Sequence, residues 1–288
     1  GVTSFTTSIP SQPNGTVIAY YLSLTDNFGN ESAVTPIASN IMPIKDANLP
    51  NFILVGFDIM QEEDFDGNFG FWQTGGFDDN ATTGIWEIGV PIPSYGVYGD
   101  PSTICQTDAQ NTPGGSQCAF TGNATSSQSG LGENDVDGGH TTLYSPSYDL
   151  SSFSNPAFSY YRWYTNSPYS GANPGADWWQ VMISDDGVNW VYVEDNISSD
   201  LSWRKFAFRV NDYVSLTNNV QLKFIASDSI RLGQNLDGGS LIEAAVDDLI
   251  LYEARESSTN LNNIAGIENK LIKITDLLGR EISNNNLL

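Results

Sequence analysis

Short runs rich in Val, Ile, Tyr, Phe, Trp and Thr, cut every few residues by Asn-Gly, Asp-Gly, Gly-Asn or Pro, recur through most of the chain and constrain the fold most. They include "TVIAYYLSLTD" (16–26), "AFSYYRWYT" (157–165), "DWWQVMISDDGVNWVYVED" (177–195), "WRKFAFRVNDYV" (203–214), "VQLKFIASD" (220–228) and "EAAVDDLILYE" (243–253). No long apolar stripe has the helical period. Strands at this spacing predict an all-β chain built as an antiparallel sandwich. Asp186-Gly187 marks a hairpin whose turn needs positive φ, and Trp190 just beyond it is expected to cap the sandwich.

The chain has 288 residues and is 40% hydrophobic, enough for a real core. Its 11 Lys and Arg against 34 Asp and Glu give a formal charge of −23, which repels a phosphate backbone or an anionic membrane face. Nucleic acid is excluded as a partner. The carboxylate surplus suits a hard cation such as calcium, or simply a soluble secreted surface. No window approaches the roughly 18 apolar residues of a membrane helix, so no transmembrane segment is expected. The first residues lack a signal peptide, as a mature start or a cut fragment would. Cys105 and Cys118 flank a Pro, Gly, Gln and Ser loop, where a disulfide is favoured over two free thiols and implies an oxidising compartment.

Composition shifts divide the chain. Residues 1–43 hold only enough strand for part of an Ig-like or fibronectin-like domain, since a full sandwich takes about 100 residues. Residues 44–58 are expected to link it to a jelly roll at 59–253. The polar run 254–269 reads as a second linker, and 270–288 as a short β tail.

Several segments of the central block carry a family resemblance: "EDFDGNFGFWQTGGFDDNATTGIWEIG" (63–89), "QCAFTGNA" (117–124), "NDVDGGHTTLYSPSYDL" (134–150), "FSYYRWYTN" (158–166) and "GGSLIEAAVDDLILYE" (238–253). In order and spacing they resemble a MAM-like jelly-roll module found after zinc carboxypeptidases and other exported peptidases of Bacteroidota. The tail "KLIKITDLLGREI" (270–282) resembles part of the C-terminal sorting domain of type IX secretion substrates, without its Pro-containing segment or its last strands. The resemblance implies a secreted or cell-surface protein whose partners are the type IX machinery and its outer-membrane shuttle.

In MAM-like jelly rolls a cation ties an acidic residue of the first strand to one of the last strand and to a loop between. Carried onto this chain, the resemblance points to Asp66, Asp135, Asp137 and Asp247 as calcium ligands. The competing reading is that Asp135 and Asp137 cap a turn through their own hydrogen bonds. Strand alternation puts Val246, Asp248 and Ile250 on one face and Ala245, Asp247, Leu249 and Leu251 on the other, so only one carboxylate of the pair should face the interior.

Enzymatic motifs are missing. A single histidine, His140, rules out "HExxH" and a His-rich zinc site, and neither "GxSxG" nor "GxxxxGK" occurs. Asp78-Asp79 and Asp185-Asp186 are adjacent turn pairs, a poor arrangement for flanking one scissile bond. No catalysis is expected from this chain. A sugar site is the alternative: "YYRWY" (160–164), Trp178 and Trp179 supply aromatic rings, with Tyr160, Arg162 and Tyr164 on one strand face and Tyr161 and Trp163 on the other. A jelly roll is expected to leave one face of each sheet in water. "DSI" (228–230) matches a Bacteroidota O-glycosylation pattern with Ser229 as acceptor. The combined expectation is a non-catalytic, calcium-stabilised binding or spacer module with a glycan or protein ligand. The alternatives are a carbohydrate-binding module on an exported hydrolase or an accessory domain of a secreted metallopeptidase.

Overall fold

The computed structural model describes residues 7–20, 22–25, 28, 31–34, 49–67, 70–97, 100–126, 133–166, 175–199, 201–228 and 240–256. Residues 1–255 form one compact unit and 256–288 a second. Ser229, the 270–288 tail and all but three residues of the 254–269 linker lie outside the described residues.

The chain opens with β1 (Thr16–Tyr20), β2 (Leu22–Thr25), β3 (Glu31–Val34) and β4 (Asn51–Val55). After them come β5 (Phe57–Glu63), β6 (Gln73–Thr74), β7 (Trp86–Gly89), β8 (Cys118–Thr121), β9 (His140–Tyr144), β10 (Pro156–Asn166), β11 (Trp178–Ser184), β12 (Val191–Asn196), β13 (Arg204–Arg209), β14 (Gln221–Ser227) and β15 (Ile242–Ala254). Every strand pair is antiparallel. One sheet runs β13-β10-β15-β8-β7 with β5 also on β15, and the other runs β12-β11-β14-β9-β6. From β5 onward the chain passes back and forth between the two sheets, apart from the hairpin-paired β7–β8 and β11–β12, which makes the all-β fold a jelly-roll sandwich.

Period-two burial builds the core between the sheets. Phe158, Tyr160 and Tyr164 of β10 and Ala244 and Val246 of β15 face Trp179, Val181 and Ile183 of β11 and Leu222, Phe224 and Ala226 of β14. The Tyr160 ring meets Phe224 edge-on at 5.1 Å. Each such large side chain contributes about 1.5–3 kcal/mol through burial.

The boundary expected at 44–58 is corrected. "NFILV" in that span is β4, paired with β1 from Thr16↔Val55 to Tyr20↔Asn51. The ribbon packs on the six-stranded sheet: Val17 and Leu54 adjoin Phe57, Ala157 and Tyr252, and the Phe52 ring meets Phe206 at 4.7 Å, tilted by 51°. Arg204 Nη2 donates to Leu49 O at 2.8 Å. A short apolar run inside a presumed linker is a strand here because an exposed apolar sheet surface is there to receive it.

A second cover completes that surface. Between β7 and β8 the chain crosses the six-stranded sheet's outer face, where Trp163 Nε1 and Thr165 Oγ1 both donate to Cys105 O, at 2.7 and 2.6 Å, and Trp203 Nε1 donates to Ala109 O at 2.9 Å. The expectation that each sheet leaves a face in water therefore fails for this sheet. The predicted disulfide is also corrected: Cys105 and Cys118 are free, buried thiols. Cys118 packs with Phe120, Trp163 and Ala245, while Cys105 Sγ approaches Thr103 O at 3.5 Å. Burial pushes both thiols up from their ordinary range, so they are inert apolar fillers.

Candidate functional site

Two acidic groups and one sheet face concentrate the chemistry of the described residues. The first group lies where β15 bulges. Tyr161 pairs with Asp247 and Ser159 with Ile250, so Tyr160 stands opposite both Asp248 and Leu249. Asp248 absorbs the extra residue at φ +48°, a left-handed conformation that Asp tolerates better than most residues. The bulge overturns simple alternation. Asp247 and Asp248 reach the same loop instead of opposite faces: Asp247 Oδ2 accepts from Asn111 N at 2.7 Å and Thr112 N at 3.3 Å, and Asp248 accepts from Asn111 Nδ2 and Thr112 Oγ1. Asp66 grips the loop's other end, accepting from Ser116 N at 2.8 Å, Ser116 Oγ at 2.9 Å and Gln117 N at 3.1 Å. The Ser116 amide holds the Asp66 carboxyl below its usual range. Burial, followed by Asp248, pushes Asp247 up to about 7. Asp248→Val should therefore lower Tm by several degrees, about 1–2 kcal/mol from the left-handed backbone alone, and Asp248→Asn by less; thermal melts of the two variants check this.

The second group is at the β9 and β14 ends. Asp135 Oδ2 accepts from Ile242 N at 3.2 Å, Asp137 pairs with Thr83 in an isolated bridge, and Asp228 Oδ2 accepts from Gly138 N at 3.0 Å. Burial, then the Asp137 charge, pushes Asp135 up to about 8, with Asp228 adding to the rise. Nearby Glu243 is fully buried and accepts from Ser94 Oγ at 2.8 Å, Gln106 Nε2 at 3.0 Å and Thr121 Oγ1 at 3.2 Å. Burial also drives its carboxyl upward.

The four predicted calcium ligands are thus divided. Asp66 and Asp247 bind amides of one loop, and Asp135 and Asp137 belong to the other group. Among the described residues no group of three or more His, Cys, Asp or Glu side chains is arranged to hold a metal ion. The set of four does not fit calcium, because main-chain and hydroxyl donors already engage Asp66 and Asp247.

Among the described residues, nothing comparable covers the β12-side row on the outer face of the five-stranded sheet. Trp179, Val181 and Ile183 point inward, so Trp178, Gln180 and Met182 point out. Cross-strand pairing aligns Tyr192 with Met182, Met182 with Lys223, Lys223 with Tyr144, and Tyr144 with Gln73. Trp190 is corrected from sandwich cap to this face: its ring meets Tyr144 at 5.8 Å and carries Lys223 Nζ at 4.6 Å. Gln180 Nε2 donates to Asp195 Oδ1 at 3.0 Å. His140 Nε2 lies 3.6 Å from Asp79 Oδ1, and Asp79 itself accepts from Thr142 N and Oγ1 in the middle of β9, at 2.8 and 2.7 Å. Of the aromatic residues singled out in sequence, Tyr160, Tyr164 and Trp179 are core, Trp163 lies under the covering loop, and Trp178 and Tyr161 are half-buried. Sequence reading missed Tyr144, Tyr192 and Lys223, although polar-apolar alternation in "HTTLY" and "QLKFIAS" marks the outward positions of β9 and β14.

No family model matches the chain, and no curated protein matches it. Among solved structures, the K1 cleaved adhesin domain of Lys-gingipain from Porphyromonas gingivalis is 14% identical, with 66% of this chain and 96% of that one covered and a TM-score of 0.38. The carbohydrate-binding module TmCBM61, in complex with β-1,4-galactotriose, is 13% identical over 66% of this chain and 94% of its own, with a TM-score of 0.35. The CBM22-1 and GH10 modules of Clostridium thermocellum endo-1,4-β-D-xylanase 10B, complexed with xylohexaose, are 13% identical over 68% of this chain and 28% of theirs, with a TM-score of 0.34. At TM-scores below 0.5 none of these bears on a ligand for this chain.

Proposed function

We propose that the chain is a non-catalytic glycan-binding module of an exported bacterial surface protein, with the outer face of its five-stranded sheet as the ligand surface. One observation carries the reading: the ribbon and the long β7–β8 connection cover the other sheet, whereas the β12-side row of this sheet presents partly exposed Tyr144, Trp190, Tyr192 and Lys223 beside polar Gln180 and Asp195. Aromatic rings beside fixed donors and acceptors suit sugars, whose C–H faces stack and whose hydroxyls hydrogen-bond. The tail's resemblance to a type IX sorting domain supports export to the cell surface.

A glycan array probed with the purified chain tests the module: binding to a defined class of glycan supports it, and a blank array removes it. Calcium stays in this reading as the cation that the resemblance implies; with no three described acidic side chains arranged to hold it, the Asp135 and Asp137 carboxylates would need main-chain carbonyls to complete its shell. Calcium titrated into chelator-treated protein at pH 8 should raise Tm by several degrees. An unchanged melt discards the cation.

A further inference from the structure

We propose that a neutral, linear polysaccharide lies across the strands along the row Tyr192, Met182, Lys223 and Tyr144; the inference rests on the glycan-binding reading and deepens it. The row is fixed by register, one residue per strand, each directly opposite the next. Adjacent strands lie about 4.8 Å apart, so the row from Tyr192 on β12 to Gln73 on β6 spans about 19 Å. Equatorially linked pyranose rings repeat on a length close to that strand spacing, so a chain crossing the strands brings one sugar to each side chain.

The chemistry along the row is graded. Tyr192 is 48% exposed at one end. At the other, Trp190 and Tyr144 meet nearly edge to face, and Phe77 is fully exposed in the turn that abuts the Tyr144 hydroxyl. Lys223 stands between them, its ammonium fixed over the Trp190 ring and ready to donate to hydroxyls. Asp195, held by Gln180 beside the row, offers acceptors to the same chain.

Charge selects the class of polymer. Lys223 is the single cation of the row, Asp78 and Asp79 act on it, and the protein carries −23 overall. A polyuronate or sulfated glycan would be repelled. A neutral polymer would not.

Isothermal titration of the full chain with neutral β-linked oligosaccharides, from disaccharide to hexasaccharide, and with an oligogalacturonide tests this. The neutral series should gain affinity with length until the chain fills the row and then level off, with the oligogalacturonide inert. Tyr192→Thr, which keeps a strand-forming residue, and Tyr144→Ala should each weaken binding about tenfold at unchanged Tm, and Lys223→Met should weaken it too. Neutral binding that survives all three substitutions, or equal binding of the polyanion, overturns the track and leaves a glycan module with its site elsewhere. Failure of every oligosaccharide to bind overturns the glycan-binding reading itself.

Discussion

Glu194→Ala should destabilise the sandwich by about 3–5 kcal/mol, because it leaves a guanidinium unpaired in the core. Arg162 and Glu194 come from β10 and β12, one from each sheet, with side chains 2% and 1% exposed and Nε 3.1 Å from Oε2. The carboxylate is saturated, since Tyr160 Oη and Trp179 Nε1 also donate to Oε1 and Asn196 Nδ2 reaches Oε2. Arg162 stacks over Trp179 at 5.6 Å and donates from Nη1 to Ser198 O, while its Nη2 has no partner. Removing the carboxylate deprives three donors and a cation at once. For a domain of this size the loss corresponds to a fall in Tm of roughly 10 °C. The paired replacement Arg162→Met with Glu194→Leu removes both charges and should recover the part of that fall that comes from the orphaned guanidinium, while Tyr160 Oη and Trp179 Nε1 still lack their acceptor. A double variant as unstable as Glu194→Ala would show that the deprived donors, rather than an orphaned charge, set the loss.

The strand set was legible because period-two burial and turn residues are local signals. "AFSYYRWYT" became β10 with Tyr160 and Tyr164 inward and Trp163 outward, as alternation requires. Even the buried place of Arg162 follows from that pattern. Its partner does not, since Glu194 sits on a different sheet and only the pairing of the sheets brings the two together. The Asp247-Asp248 pair shows the other limit: alternation predicts opposite faces, and a single bulge opposite Tyr160 directs both carboxylates to one loop. Nothing within "AAVDDLILY" signals where a register shift falls. The four carboxylates carried over from the resemblance are likewise not brought to one place, because loop amides take Asp66 and Asp247 and no pattern in the strands foretells those amides. The loop between Cys105 and Cys118 read as a disulfide-pinned excursion; its hydrogen bonds to Trp163, Thr165 and three carboxylates do the pinning instead.

Stability should fall as pH rises from about 4 to 8, the reverse of a protein held by salt-bridged carboxylates. Asp135 is pushed from 3.8 up to about 8 by burial first, then by Asp137 and Asp228, against the opposing Ile242 amide. Asp247 is pushed up to about 7 and Glu243 well above its ordinary value, each by burial first. In the unfolded chain these groups ionise near 4, while in the native state they keep their protons to higher pH. Between those limits the native state binds more protons than the unfolded state, so each pH increment favours unfolding. Melts of chelator-treated protein should show Tm higher at pH 5 than at pH 8.5. Asp135→Asn keeps an oxygen to accept from Ile242 N and cannot ionise, so it should raise Tm at pH 8.5 by several degrees and change it little at pH 5. Glu243→Gln replaces an acceptor-only carboxylate by an amide that still accepts from some of Ser94, Gln106 and Thr121, and should act in the same direction but more weakly. A native Tm that rises through this window, or an Asp135→Asn variant whose profile parallels the parent, would mean that Asp135 is ionised in the fold and that its neighbours already supply the compensating donors.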